Sequence, residues 1–123
     1  MENSAGVAIV DDEIDLVRTY ELLFRRMRIP VAFAASDGEE AIEKFRMSDP
    51  KPSIVIIDHR LPSMSGLDVM KAILALEPRT KIVFISGDDS VRQASLDAGA
   101  AAFMEKPTPI RVIIETINSL IGA

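Results

Sequence analysis

The chain has 123 residues, of which 48% are apolar and 5% aromatic, so Val, Ile, Leu and Ala must fill most of any core. Its net charge of −5 argues against direct binding of nucleic acid, and no apolar run approaches the roughly 20 residues needed to span a bilayer. Residues 1–4 lack the basic and apolar segments of a signal peptide, so we expect a cytoplasmic protein with no membrane contact.

Strand and helix patterns alternate along the whole chain. The predicted strands are short apolar runs without polar alternation, at 7–10, 31–35, 54–57, 82–86 and 101–104. Continuous apolar runs suit strands that are covered on both faces, as in parallel sheets. Apolar residues at helical spacing predict helices over 13–28, 38–47, 66–77, 88–98 and 109–121. The segment 88–98 has the weakest helical pattern of the set.

Residues with strong turn and capping preferences support these boundaries. Ser36 or Asp37 can cap the second helix, and Thr108 can cap the fifth, with Pro109 at the first helical position. Gly99 follows the fourth helical run, where a left-handed residue often ends a helix. No linker or repeat interrupts the pattern, which predicts one domain over residues 6–122.

Alternating strand and helix units imply a parallel sheet with helices on both faces. Such units leave two plausible doubly wound strand orders, and the flavodoxin-like order 2-1-3-4-5 is the usual one for a small domain. We therefore predict an α/β fold with a doubly wound, five-stranded parallel sheet in that order. Strands 1 and 3 then flank the point beyond which ligands bind in such sheets.

Polar side chains follow four of the predicted strands. Asp11 and Asp12 follow the first strand, Asp58 the third, Ser86 ends the fourth, and Lys106 follows the fifth. Because the carboxyl ends of parallel strands meet at one edge of a sheet, these side chains predict a site there. Neighbouring carboxylates repel one another, and a hard divalent cation such as Mg²⁺ relieves that repulsion. The set fits a phosphoryl-accepting aspartate beside a metal, although the first two acids could also cap a helix.

In these motifs the chain resembles the receiver domain of response regulators in two-component signalling, over essentially residues 6–122. The matching pieces occur in order and on the correct strands: Val10-Asp11-Asp12-Glu13, Asp58 followed by Leu61-Pro62, Met64-Ser65-Gly66, Ser86-Gly87 and Lys106-Pro107. The family implies a flavodoxin-like (βα)5 fold, a phosphoacceptor aspartate, a requirement for Mg²⁺, and a histidine kinase as phosphoryl donor. It also implies a conformational switch that phosphorylation drives.

The resemblance assigns roles to individual residues of the site. Asp58 would attack a phosphohistidine and become the acyl phosphate, while Lys106, before a cis proline, would neutralise charge. Asp12, Asp58 and the backbone carbonyl of Arg60 would bind Mg²⁺ directly, and Asp11 would act largely through water. Lys106 could otherwise be a solvated loop residue, and Arg60 could either guard the phosphoryl group from water or lie free in solvent.

Ser86 and Phe103 are the candidates for reading out the phosphorylated state. A hydroxyl one strand away from Asp58 could hydrogen-bond a phosphoryl oxygen, although the family often has threonine here and a plain capping serine is the alternative. Phe103 matches the family's switch aromatic, which moves inward on activation, or it is an ordinary core residue. The switched surface would comprise the fourth helix, fifth strand and fifth helix, with possible dimerisation through it.

Two further polar residues near the site have weaker interpretations. His59 is the only histidine and neighbours the acceptor, so we interpret it as a loop residue that tunes access. Asp88 follows the fourth strand, where an acid suits the start of a helix, and it could also influence hydrolysis of the phosphoryl group.

The predicted function is a signalling switch rather than an enzyme, since it would catalyse only its own phosphorylation and dephosphorylation. A small-molecule aspartyl phosphotransferase would usually need a substrate-binding cap, and an unphosphorylated docking module would normally lack a key acid or the lysine. No glycine-rich nucleotide motif is present. The chain fits either a stand-alone receiver, like the chemotaxis receivers, or the receiver of a longer regulator or hybrid kinase.

Overall fold

The computed structural model describes residues 6–122, in which strands and helices alternate. The strands are β1 (Val7–Val10), β2 (Val31–Ala35), β3 (Ile54–Asp58), β4 (Lys81–Ser86) and β5 (Ala102–Glu105). The helices are α1 (Ile14–Arg26), α2 (Gly38–Met47), α3 (Gly66–Leu76), α4 (Arg92–Asp97) and α5 (Ile110–Gly122). None of the helices in this range is long and apolar enough to cross a bilayer.

The strands form one parallel sheet in the order β2-β1-β3-β4-β5, which confirms the predicted fold and strand order. β1 and β3 lie side by side, with Val10 opposite Ile57. β4 lies on the other side of β3, with Asp58 opposite Ile85. The residues that leave β1, β3 and β4 therefore emerge next to one another at a single edge of the sheet.

Apolar layers cover both faces of the sheet. Val7 and Ile9 point into a layer that α1 and α5 complete, while Ala8 and Val10 point into a layer that α2 and α3 complete. All residues of β1 and β3 are buried. Their apolar sequences without alternation follow from this burial on two faces.

The predicted helix ends are confirmed for α2 and α4 but not for α5. The Asp37 carboxylate accepts a hydrogen bond from the N–H of Glu40 at 2.8 Å, as an N-cap should. Gly99 follows α4 with a φ of +114°, a conformation that favours glycine. Thr108 was expected to cap α5, but its hydroxyl donates to the Glu105 carbonyl at 2.7 Å and α5 begins two residues later.

The segment predicted as a helix over 88–98 is shorter and begins irregularly. A 3₁₀ turn at Asp89–Val91 precedes the six residues of α4. The Asp88 carboxylate accepts hydrogen bonds from the N–H and the hydroxyl of Ser90, at 2.9 and 2.6 Å. These local bonds favour a tight turn over a regular helix because they satisfy the backbone there.

Candidate functional site

Three carboxylates meet at the edge of the sheet, beyond β1 and at the end of β3. Oxygen atoms of Asp11, Asp12 and Asp58 all lie within 4.8 Å of one another. Asp11 and Asp58 are buried, at 6% and 5% exposure, whereas Asp12 is exposed. The structure thus brings together the acids that were predicted at this edge. The cluster is buried on the side of Asp11 and Asp58 and open to solvent on the side of Asp12.

Lys106 provides the positive charge of the cluster. Its Nζ lies 2.6 Å from Asp58 Oδ1 and 3.8 Å from Glu13 Oε1. The backbone N–H of Lys106 donates to the Ser86 carbonyl at 2.9 Å, and the peptide bond to the following proline is cis. Burial lowers the pKa of Lys106, but the adjacent Asp58 carboxylate outweighs it and raises the pKa above its ordinary value. The ammonium group is therefore held charged against the acid predicted to accept phosphate.

Asp11 is the carboxylate that burial perturbs most clearly. Burial raises the pKa of Asp11 to about 6, and the nearby charge of Asp58 adds to the rise. The N–H of Glu13 opposes this by donating to Asp11 Oδ1 at 2.9 Å, and Lys106 opposes it through its charge. The positive charge of Lys106 therefore does not fully compensate an ionised Asp11, and a cation bound at the cluster would add to it.

The donor atoms of the cluster fit a hard divalent cation. Mg²⁺ prefers oxygen ligands and usually keeps several waters beside one or two carboxylates. Asp11, Asp12 and Asp58 supply carboxylate oxygens, and the exposed side of Asp12 leaves room for water. Within residues 6–122 no hydrogen bond takes up the carbonyl oxygen of Arg60, so this predicted ligand is also available.

Ser86 ends β4 at the same edge of the sheet, and its hydroxyl is hydrogen-bonded to the backbone of Asp88. Its side chain is buried, and its Oγ accepts a hydrogen bond from the N–H of Asp88 at 2.9 Å. The hydroxyl donates to the carbonyl of the same residue at 3.4 Å, a long bond. Ser86 could therefore donate to a new acceptor on Asp58 by giving up this weak bond to Asp88.

A row of aromatic rings runs from the loop after β3 to β5. The His59 ring packs on Phe84 with a centroid distance of 5.5 Å, and Phe84 stacks on Phe103 at 6.2 Å. The guanidinium carbon of Arg92 lies 4.7 Å from the Phe103 centroid. His59 lies in the loop directly after β3, as predicted, and its ring also contacts the core. Its influence on access to Asp58 stays a prediction. Its Nδ1 is buried without a hydrogen-bond partner among the described residues.

Two residues near the site were not singled out from the sequence. Glu13 follows Asp11 and Asp12 in the sequence and lies 3.8 Å from Lys106. This approach depends on the conformation of the loop after β5, which the spacing of residues in the sequence does not predict. Tyr20 lines a groove of about 380 Å³ beside Lys106, with Leu16 and Ile110 on its walls. Burial and the neighbouring acids raise the pKa of Tyr20 to about 12. Its position one helical turn after Leu16 was the signal that could have placed it on this face.

The sequence is similar to those of known receiver proteins over nearly its whole length. The family model described as "Response regulator receiver domain" matches residues 7–118. The chain is 32% identical over 116 residues to the chemotaxis protein CheY of Thermotoga maritima, covering 93% of this chain and 95% of that protein. It is also 32% identical over 116 residues to the response regulator GacA of Pseudomonas viridiflava, covering 91% of this chain and 53% of that protein.

The fold has close counterparts among solved structures. A chain of the CheX–CheY–BeF₃–Mg²⁺ complex from Borrelia burgdorferi matches with a TM-score of 0.86 and 27% identity, covering 94% of this chain and 87% of that one. The non-phosphorylated HemR receiver domain from Leptospira biflexa matches with the same TM-score at 23% identity, covering 95% of this chain and 94% of that one. The similarity therefore extends over almost the entire fold described above.

Proposed function

The chain belongs to the response regulator receiver domain family of two-component systems, and on that premise we propose that it is a switch operated by phosphorylation of Asp58. A histidine kinase donates the phosphoryl group, and the modified domain changes the surface formed by α4, β5 and α5. A partner protein or an output domain then recognises that surface. The observation that carries this proposal is the 2.6 Å contact between Asp58 and Lys106 beside the carboxylate cluster.

Asp58 is the nucleophile in the proposed reaction. Its carboxylate oxygen forms a bond to the phosphorus of a phosphohistidine while the P–N bond breaks, and the electron pair stays on the imidazole nitrogen, which takes up a proton. Lys106 offsets the charge on the phosphoryl oxygens, since phosphoryl transfer depends more on positioning and charge neutralisation than on acid–base groups. Held by Asp11, Asp12, Asp58 and the Arg60 carbonyl, Mg²⁺ would supply further positive charge at this place.

The readout would begin at the Ser86 hydroxyl. A phosphoryl oxygen on Asp58 offers a charged acceptor, which makes a stronger hydrogen bond than the 3.4 Å contact with the Asp88 carbonyl. Movement of the loop after β4 would change the surroundings of Phe103, the proposed switch aromatic. The domain would act on no separate substrate and would catalyse only its own phosphorylation and dephosphorylation. Phosphorylation could also promote dimerisation through the α4, β5 and α5 surface.

The switch is better supported than the two alternative functions. An unphosphorylated docking module has no need for a buried acid paired with a lysine, and here that pair is intact. A small-molecule phosphotransferase needs a wall around its substrate. The connections at this edge are short within residues 6–122, and the cluster opens directly to solvent.

The test is the intact mass of the protein after incubation with acetyl phosphate, with and without Mg²⁺. We expect the wild type to gain one phosphoryl group only with Mg²⁺, and Asp58→Asn to gain none. Asp68→Asn, which removes an exposed acid from the first turn of α3, is the matched control and should label like the wild type. Ser86→Ala should retain labelling as well.

Two outcomes would contradict the proposal. Labelling of Asp58→Asn would show that another residue is the acceptor. If acetyl phosphate does not label the wild type, phosphorylated histidine kinases are the second donor to try. Failure of a panel of these donors to label it would leave the docking module as the better explanation.

A further inference from the structure

The side chain of Arg92 closes the row of rings at its solvent end. Phe103 is half-buried, with one face stacked on Phe84 at an interplanar angle of 24°. The guanidinium of Arg92 lies over the same ring at 4.7 Å. Cations within about 6 Å of a ring centroid are attracted to its face. Phe103 therefore contacts both a buried ring and a surface cation.

Arg92 is itself held in place by the turn that follows β4. Its Nε lies 3.0 Å from Asp89 Oδ1, and both side chains are roughly half exposed. Asp89 begins the 3₁₀ turn, directly after Asp88, whose N–H and carbonyl bond the Ser86 hydroxyl. A continuous set of contacts thus leads from the hydroxyl beside the acceptor to the exposed side of Phe103.

We propose that Arg92 is a positioning residue that holds Phe103 in its unphosphorylated arrangement. The contact is released when the Ser86 hydroxyl leaves the Asp88 carbonyl for a phosphoryl oxygen, because the turn that carries Asp89 and Arg92 then shifts. This inference rests on the proposed function, since it names how the same site is coupled to its surface. It predicts that Arg92 stabilises the resting state and so opposes activation.

The strength of the contact sets the size of the expected effect. A cation over an aromatic ring at a half-exposed site contributes enough to change an equilibrium by roughly two- to fivefold. A ligand that binds the activated arrangement should therefore bind roughly two to five times more tightly when Arg92 is removed. An arginine that only lies in solvent would produce no such change.

The measurement is the affinity for BeF₃⁻, a tetrahedral mimic of a phosphoryl group, at saturating Mg²⁺, followed by ¹⁹F NMR. Arg92→Gln is the test variant and should bind more tightly than the wild type. Arg46→Gln is the matched control, because it removes the same charge from an exposed pair with Glu43 on α2, outside the switched surface. Its affinity should equal that of the wild type.

A second variant separates release of the contact from simple electrostatics. Loss of a positive charge weakens the binding of an anion, and loss of a negative charge strengthens it. If charge alone acted, Arg92→Gln would bind BeF₃⁻ more weakly than the wild type and Asp89→Asn would bind it more tightly. Release of Phe103 predicts tighter binding for both variants, with the smaller effect for Asp89→Asn.

The chemical shifts of the Phe103 ring would not change if Arg92 had only a structural role. In Arg92→Gln without BeF₃⁻, these shifts should lie part of the way between those of the free and the BeF₃⁻-bound wild type. With BeF₃⁻ bound, the shifts of the variant should match those of the wild type. Unchanged or weaker binding by Arg92→Gln, while the wild type binds, would overturn the role of Arg92 and leave the proposed function standing. Failure of the wild type to bind BeF₃⁻ would count against the proposed function itself.

Discussion

At Asp11, the burial of a carboxylate and its ionisation oppose each other. Since the folded state raises the pKa of Asp11 to about 6 from 3.8, folding favours the protonated form. The resulting penalty is absent below pH 4, grows as the pH rises from about 4 to 6, and is then constant at on the order of 2–3 kcal/mol. In Mg²⁺-free buffer, Asp11→Asn should therefore unfold less readily than the wild type above pH 6.

The free energy of unfolding in urea, measured from pH 4 to pH 7.5, tests this expectation. The difference between Asp11→Asn and the wild type should widen from about pH 4 to pH 6, as Asp11 ionises in the unfolded but not the folded wild type, and stay constant at higher pH. Asp15→Asn removes an exposed acid from α1 and should give a difference that changes little with pH. A constant difference for Asp11→Asn would show that the buried carboxyl keeps its ordinary affinity for protons.

Ser63 adopts a backbone conformation that suits glycine. It is exposed in the loop between β3 and α3, with a φ of 73°. This conformation costs a non-glycine residue about 1–2 kcal/mol of folding free energy. Glycine avoids that cost, but its greater freedom in the unfolded chain offsets roughly 0.4–1 kcal/mol of the stability gained. Ser63→Gly should therefore raise the free energy of unfolding by about 0.5–1 kcal/mol. A decrease in a urea titration would indicate that the serine side chain has a stabilising role.

At the scale of elements, Gly66 sets the distance between α3 and β3. A Cβ atom at this position would lie 2.5 Å from the Asp58 carbonyl oxygen and 2.8 Å from the Cα of His59. Such overpacking destabilises by about 1–3 kcal/mol, which exceeds the roughly 0.5–1 kcal/mol that alanine gains over glycine in a helix. We expect Gly66→Ala to lower stability and, because the acceptor backbone must shift, to slow labelling of Asp58.

Gly87→Ala is the matched control for this change. It lies at the same edge of the sheet, yet the nearest atom to its Cβ would be the Lys106 Cβ at 4.0 Å, an ordinary contact. Stability by urea unfolding and the rate of labelling by acetyl phosphate should both stay near wild type. Equal effects of the two substitutions would mean that the close approach of α3 to β3 does not govern the acceptor.

The elements that the sequence predicted well are those with unambiguous local signals. Apolar runs such as 54–57 indicate a buried parallel strand, and Asp37 marks a helix start through its own side chain. The segment after β4 could not be predicted in the same way. There, the hydrogen bonds between Asp88 and Ser90 favour a turn over the helix that a weak apolar pattern predicts. Apolar periodicity gives no information about such side-chain hydrogen bonds.

At the scale of the whole molecule, the predictable part of the site is the part that topology determines. The rule that parallel strands end at one edge placed Asp11, Asp58 and Lys106 together before any distance was known. Contacts that depend on how loops and side chains pack were not accessible from one sequence. The approach of Glu13 to Lys106 and the position of Arg92 over Phe103 are of this kind.

Because the carboxylate cluster exists only when β1 and β3 are paired, binding of Mg²⁺ should stabilise the entire fold. A ligand of the native state alone raises the free energy of unfolding by about 1.4 kcal/mol for each tenfold increase in concentration above its dissociation constant. We expect this slope for the wild type in urea titrations at increasing MgCl₂, with KCl holding the ionic strength constant. Asp12→Asn should need more Mg²⁺ to reach the same stability, whereas Asp68→Asn should match the wild type. No change in stability with Mg²⁺ at constant ionic strength would mean that the three acids do not bind the ion specifically, and the cluster would then be no cation site.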